Sequence, residues 1–257
     1  MESGTLKPIG VHGAILRALL WSGLLLIICY ACTTVAGRGG GDAAPDALAP
    51  GQQPASGREA RRQAPLLTFP EGAQGGIVFA GSSSIRKWES LQADMAPLPV
   101  TNCGIGGAII RQVTRTSGSM IVPLRPRLIV LYCGENDIAS GKYPAGVLLD
   151  DFKAFVKTLR SDLPMTGILF VSLKPSPIRW KHWPRFQEAN RLIQDYVRTE
   201  DRMWYVDVSQ KMLGEDGRPL REIYMSDSLH MNAAGYRIWT EILKPEVATR
   251  FGQLAGN

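Results

Sequence analysis

Five short apolar runs, separated by longer stretches whose apolar residues recur at helical spacing, govern what this chain of 257 residues can fold into. The runs are GIVFA (76–80), LPVTN (98–102), RLIVLYC (127–133), GILFVSL (167–173) and MWYVDV (203–208). They have the length and apolar content of buried strands. Between them, Ile85, Trp88, Leu91 and Met95 share one helical face. So do Val147, Leu148, Phe152, Phe155, Val156 and Leu159, and then Phe186, Ala189, Leu192, Ile193, Tyr196 and Val197. A last helix is predicted from about Ala233, carrying Tyr236, Ile238, Trp239, Ile242 and Leu243. Strands that alternate with helices predict a parallel sheet covered on both faces, with functional residues at the carboxyl ends of the strands.

The rest of the composition narrows the partners. Apolar residues make up 45% and charged residues 20%, ordinary for a globular chain. The net charge of +6 is spread thinly, since from Leu66 onward 23 Lys and Arg face 19 Asp and Glu. No basic stripe interleaved with aromatics stands out, so no nucleic acid partner is expected.

The N-terminus reads as a targeting segment. Lys7, His12 and Arg17 precede an uncharged run from Ala18 to Cys32, shorter than the roughly 20 residues of a spanning helix. Residues 1–36 are therefore read as a signal peptide or N-terminal membrane anchor. Thr34-Val35-Ala36 suits ordinary cleavage. Ala31-Cys32 resembles a bacterial lipoprotein signal, with Cys29 where leucine is usual, so lipidation at Cys32 is the second route. Each route predicts export to the cell envelope, periplasmic or membrane-anchored, with membrane association through the N-terminus. Residues 37–65, rich in Gly, Ala and Pro, are expected to form a flexible linker. Residues 66–257 are expected to form the functional domain.

Four of the predicted strand ends or later loops carry polar motifs. The first strand runs into Gly81-Ser82-Ser83-Ser84, and the helix after it would aim free N–H groups at that turn. The lysine of a phosphate-binding loop is missing, as is a G-x-S-x-G elbow. The second strand ends in Asn102-Cys103-Gly104-Ile105-Gly106-Gly107, where glycines permit a tight turn. The third ends in Gly134-Glu135-Asn136-Asp137, read as a turn with an amide donor. Near the C-terminus stand Asp227-Ser228-Leu229-His230. A serine hydroxyl needs a base to become a nucleophile. Imidazole supplies one near neutral pH, and a carboxylate fixes its tautomer. Metal binding is the competing use of Asp and His, but His182 is the only other histidine beyond the N-terminal segment, and three ligands are hard to assemble. No metal is expected.

In this order the four motifs resemble the blocks of the SGNH hydrolases, the G-D-S-L esterase and lipase family, over roughly residues 76 to 245. The resemblance implies a three-layer α/β/α sandwich with a five-stranded parallel sheet in the order 2-1-3-4-5. It also implies Ser83 as nucleophile, Asp227 and His230 as its partners, and an oxyanion hole from Ser83, Gly107 and Asn136, with Gly104 or Gly106 as near alternatives. Ser82 stands where the family usually has aspartate. The implied activity is hydrolysis of carboxylic esters without a cofactor; an envelope location and a compact domain with little room for a lid favour a small-molecule or glycan ester with a short acyl group such as acetyl. An acyltransferase using the same residues and a non-catalytic glycan-binding module are the rival readings. Arg179 and Trp180, in the Pro-rich loop after the fourth strand, are expected on the substrate rim, with Trp183 beside them. The implied strand order puts Cys103 and Cys133 two strand spacings apart, roughly 9 to 10 Å. That exceeds the reach of a disulfide, about 7 Å between α-carbons, so two free thiols are expected.

Overall fold

The computed structural model describes residues 74–141 and 143–254. The targeting segment, the lipidation site at Cys32 and the linker lie outside the described residues. The strands are β1 (Ile77–Gly81), β2 (Val100–Gly104), β3 (Leu128–Tyr132), β4 (Gly167–Val171) and β5 (Met203–Val206). All pair in parallel, in the order β2-β1-β3-β4-β5. This is the expected fold.

Alternation along the strands splits the core into two halves. Val78, Ala80, Ile129 and Leu131 face helices α3 (Ile110–Met120), α5 (Ala145–Asp162) and α6 (Trp183–Val197). Ile77, Phe79, Leu128, Val130 and Tyr132 face α1 (Ser83–Arg86), α2 (Leu91–Met95) and α7 (Ala233–Gln253). Strands β1, β3 and β4 are buried along their whole length, which is why they appear in the sequence as continuous apolar runs. The remaining helix, α4 (Glu135–Ala139), follows β3 directly.

Local boundaries depart from expectation in three places. Strand β2 starts at Val100, because Pro99 has no N–H to give to a ladder, and it runs on to Gly104, paired with Gly81. The single helix expected over 85–95 is two, α1 and α2. The chain turns between them and seats Trp88 in an aromatic cluster, stacked on Tyr236 at 5.2 Å and edge-on to Phe79 and Trp239, each at 5.8 Å. The Trp88 indole N–H donates to Asp94 Oδ2 at 2.6 Å, tying α2 to that turn. The motif 134–137, read as a turn, is the start of α4. Helix α7 begins where expected, with the Asn232 side chain accepting from the N–H groups of Ala234 and Gly235. Among the described residues no helix is long and apolar enough to cross a membrane.

Candidate active site

Gly81 makes the first turn possible. Its φ of 138° is open to glycine, and a Cβ there would lie 1.9 Å from the Tyr132 carbonyl oxygen. The chain leaves β1 through extended Ser82, whose N–H donates to that same carbonyl at 3.0 Å. Ser82 is the N-cap of α1, though its side chain makes no capping bond, and Ser83 is the helix's first residue. From behind, the Tyr236 hydroxyl donates to the Ser84 carbonyl at 2.9 Å, pinning this short helix to α7.

The Asp227–His230 turn comes to meet it. Asp227 Oδ1 accepts from the N–H groups of Leu229 and His230, both at 2.9 Å, and Ser228 takes a left-handed φ of 56° to close the turn. Asp227 Oδ2 lies 2.6 Å from His230 Nδ1, and His230 Nε2 lies 2.9 Å from Ser83 Oγ. Burial works to raise the Asp227 carboxyl, but bonds from the His230 side chain and from the His230 and Leu229 backbone outweigh it and hold it at about 2. These bonds favour the charged carboxylate. Ser83, Asp227 and His230 are thus brought together in one hydrogen-bonded line.

Gly107 and Asn136 stand at the ends of the strands on either side of β1. Of the three block-two glycines, Gly104 packs against α1, where a Cβ would meet Arg86 N at 2.2 Å, and Gly106 abuts the Arg86 guanidinium. Gly107 has a φ of 70°, and open space lies where its Cβ would be. The N–H groups of Ser83 and Gly107 donate no hydrogen bond among the described residues. Asn102 ties the block to α1, donating to the Ile85 carbonyl and accepting from Gly104 N–H. The Asn136 amide donates to the Ala108 carbonyl at 2.9 Å and accepts from Arg179 at 2.7 Å. Next to it, buried Asp137 accepts from Ile110 N–H at the start of α3, while its Oδ2 has no partner among the described residues. Burial pushes this carboxyl up to about 6.

Sequence reasoning missed a buried ionic cluster under these loops. Glu135 is paired with fully buried Lys174 at 3.2 Å and with Arg179 at 3.7 Å, and it accepts from the Tyr132 hydroxyl. Lys174 also donates to the Leu229 carbonyl at 3.0 Å, one residue before His230. Burial drives the Lys174 ammonium pKa down, against the pull of Glu135. Removing one member of such a pair costs about 3–5 kcal/mol, since the other is left buried and charged. The signal was present for two of the charges: Glu135 and Lys174 each stand three residues past the end of a strand buried on both faces, a place where a solvated side chain is hard to accommodate.

On the expected substrate rim, Arg179 points into the protein, toward Asn136 and Glu135. Trp180 lines a cavity of about 450 Å³ together with Pro177, Asp216, Arg218 and Glu222. Trp183 is buried and stacks on Trp180 at 6.0 Å, so of the two indoles only Trp180 reaches that cavity. His182 stacks on Phe186 and stands outside the hydrogen-bond chain.

A serine, an imidazole and a carboxylate in one hydrogen-bonded line at the carboxyl edge of a parallel sheet is an arrangement that recurs in one broad class, the serine hydrolases. Within that class the chain belongs to the GDSL-like Lipase/Acylhydrolase family, whose profile matches residues 69–238, and it is a carboxylic ester hydrolase. No curated protein sequence matches it. Among solved structures it is similar to a GDSL-like lipase from Bacteroides thetaiotaomicron, with 21% identity, a TM-score of 0.59, and coverage of 75% of this chain and 96% of that one. It is also similar to a carbohydrate esterase family 3 protein from Talaromyces cellulolyticus, with 15% identity, a TM-score of 0.55, and coverage of 69% and 98%. A third is a mutant acetyl esterase solved with acetate ion, with 13% identity, a TM-score of 0.53, and coverage of 69% and 98%.

Proposed function

We propose that the protein hydrolyses short-chain, chiefly acetyl, esters of a hydroxylated alcohol such as a sugar, with Ser83 as nucleophile. The observation that carries this is the unbroken chain Ser83 Oγ–His230 Nε2 at 2.9 Å and His230 Nδ1–Asp227 Oδ2 at 2.6 Å. His230 takes the Ser83 proton as Oγ attacks the acyl carbonyl, and Asp227 keeps the Nδ1–H tautomer and steadies the imidazolium. The N–H groups of Ser83 and Gly107 and the second amide hydrogen of Asn136 hold the oxyanion. His230 then protonates the departing alkoxide, and a water, deprotonated by the same imidazole, releases the acid from Ser83.

The choice of substrate rests on the cavity beside Trp180. Beside Trp180, whose ring faces the Arg218 guanidinium at 5.6 Å, half of its other eight lining residues are charged (Asp216, Arg218, Arg221 and Glu222), which suits a polyol better than an alkyl chain. The similarity to proteins named as a carbohydrate esterase and an acetyl esterase points the same way. The N-terminal segment supports work outside the cytoplasm, in the cell envelope. A p-nitrophenyl ester series tests the reading: turnover should be highest with acetate and should vanish in Ser83→Ala. Undiminished activity in that variant would sink the assignment. Product analysis with an added alcohol acceptor separates hydrolysis from acyl transfer.

A further inference from the structure

Resting on that reading, the structure assigns a new role: we propose that Arg179 is a positioning residue that fixes the Asn136 amide in the orientation catalysis needs. Amide oxygen and nitrogen are told apart by their partners, and here the partners leave one answer. A guanidinium can only donate, and the Ala108 carbonyl can only accept. Arg179 therefore demands Oδ1 at 2.7 Å, and Ala108 demands Nδ2 at 2.9 Å. Turning the amide over would set its NH₂ against the guanidinium and its oxygen against a carbonyl oxygen, losing both bonds at once.

Held this way, Nδ2 spends one hydrogen on Ala108 and keeps the second without a partner among the described residues. That second hydrogen is the one assigned to the oxyanion. Without Arg179 the amide keeps only its bond to Ala108, which holds Nδ2 on that side but leaves Oδ1 without its partner and the plane of the amide less fixed. Arg179 is itself steadied by its ion pair with Glu135 at 3.7 Å, and its loop by Ile178 N–H donating to the Ser228 carbonyl at 3.2 Å. The Arg179 side chain is 18% exposed, so its cation is largely enclosed by these contacts.

A double-mutant cycle on the full chain with p-nitrophenyl acetate tests this. Arg179→Ala should lower kcat by roughly 10- to 100-fold, a fraction of the 10²- to 10³-fold expected for losing an oxyanion donor, with KM within about twofold. In an Asn136→Ala background the same change should cost less than about threefold, because the residue it acts through is gone. Arg179→Lys, which keeps a donor but not the fork, should recover part of the loss; if Arg179→Ala fails to fold, the cycle is run with Arg179→Lys. Fully additive losses, or a rise in KM alone, would overturn the proposal and place the cation on the substrate. No Ser83-dependent turnover by the wild type would overturn the esterase reading and this role with it, whereas an active wild type with an additive cycle overturns this role alone.

Discussion

Asp227 holds His230 by two separate means: Oδ2 bonds the ring at Nδ1, and Oδ1 bonds the His230 backbone N–H at 2.9 Å. Asp227→Asn separates them. The amide oxygen still closes the turn, but the amide nitrogen cannot accept from Nδ1–H, and the imidazole is pushed to the wrong tautomer. Turnover should fall by about 10³- to 10⁴-fold. Asp227 is 44% exposed, so its bonds are partly screened and the melting temperature should barely move. A variant retaining more than a tenth of wild-type kcat would show that the carboxylate does not orient the base.

Asn136→Ala should reduce kcat by about 10²- to 10³-fold with little change in KM, because the amide hydrogen is needed only once charge develops on the substrate oxygen. Steady-state kinetics reads this directly. A rise in KM with kcat unchanged would mean that Asn136 binds the ground state instead.

Asp137 introduces a pH dependence of stability. Its carboxyl is raised to about 6 by burial, against roughly 3.9 in an unfolded chain, so between these values the folded state binds more protons than the unfolded one. Stability therefore falls as pH rises from about 4 to 6, and the penalty, of order 2–3 kcal/mol, is complete above 6. Asp137→Asn keeps an acceptor for Ile110 N–H and removes the charge. Relative to the variant, the wild type should lose stability across that window in denaturant titrations. Parallel curves would show that this carboxyl does not titrate there.

Cys103 and Cys133 are both free and buried. Burial pushes the Cys103 thiol to about 11, and drives Cys133, where Asp137 and Glu135 add to the effect, far above the ordinary range. Iodoacetamide at pH 8 should leave both unlabelled in the native protein and label both in denaturant, as read by peptide mass. Two peptides that stay unlabelled in denaturant would instead reveal a disulfide.

The fold was legible because a sheet buried on both faces writes its strands as uninterrupted apolar runs; Asp227 and His230 stood out as a carboxylate and an imidazole three residues apart, whereas Ser83 was singled out from its neighbours Ser82 and Ser84 by the resemblance to the SGNH blocks alone. The split between α1 and α2 was not, since Trp88 sits at proper helical spacing and only its distant partners Tyr236 and Trp239 pull the chain out of line. Nor was the inward turn of Arg179. A charged side chain in a Pro-rich loop looks solvated until Glu135, 44 residues earlier, is found beneath it. Which block-two glycine faces open space depended on Arg86, whose backbone and guanidinium fill the room beside Gly104 and Gly106.

The bond from Tyr236 to the Ser84 carbonyl joins residues 152 apart, and that from His230 to Ser83 joins residues 147 apart. Contacts so distant along the chain form late, after the closure of the intervening loop has been met by other gains. A nascent chain can thus complete β1 through β4 while its serine is still an ordinary hydroxyl. On the proposed mechanism Ser83 gains its base only when the turn before α7 docks, so activity should be the last property to return on refolding.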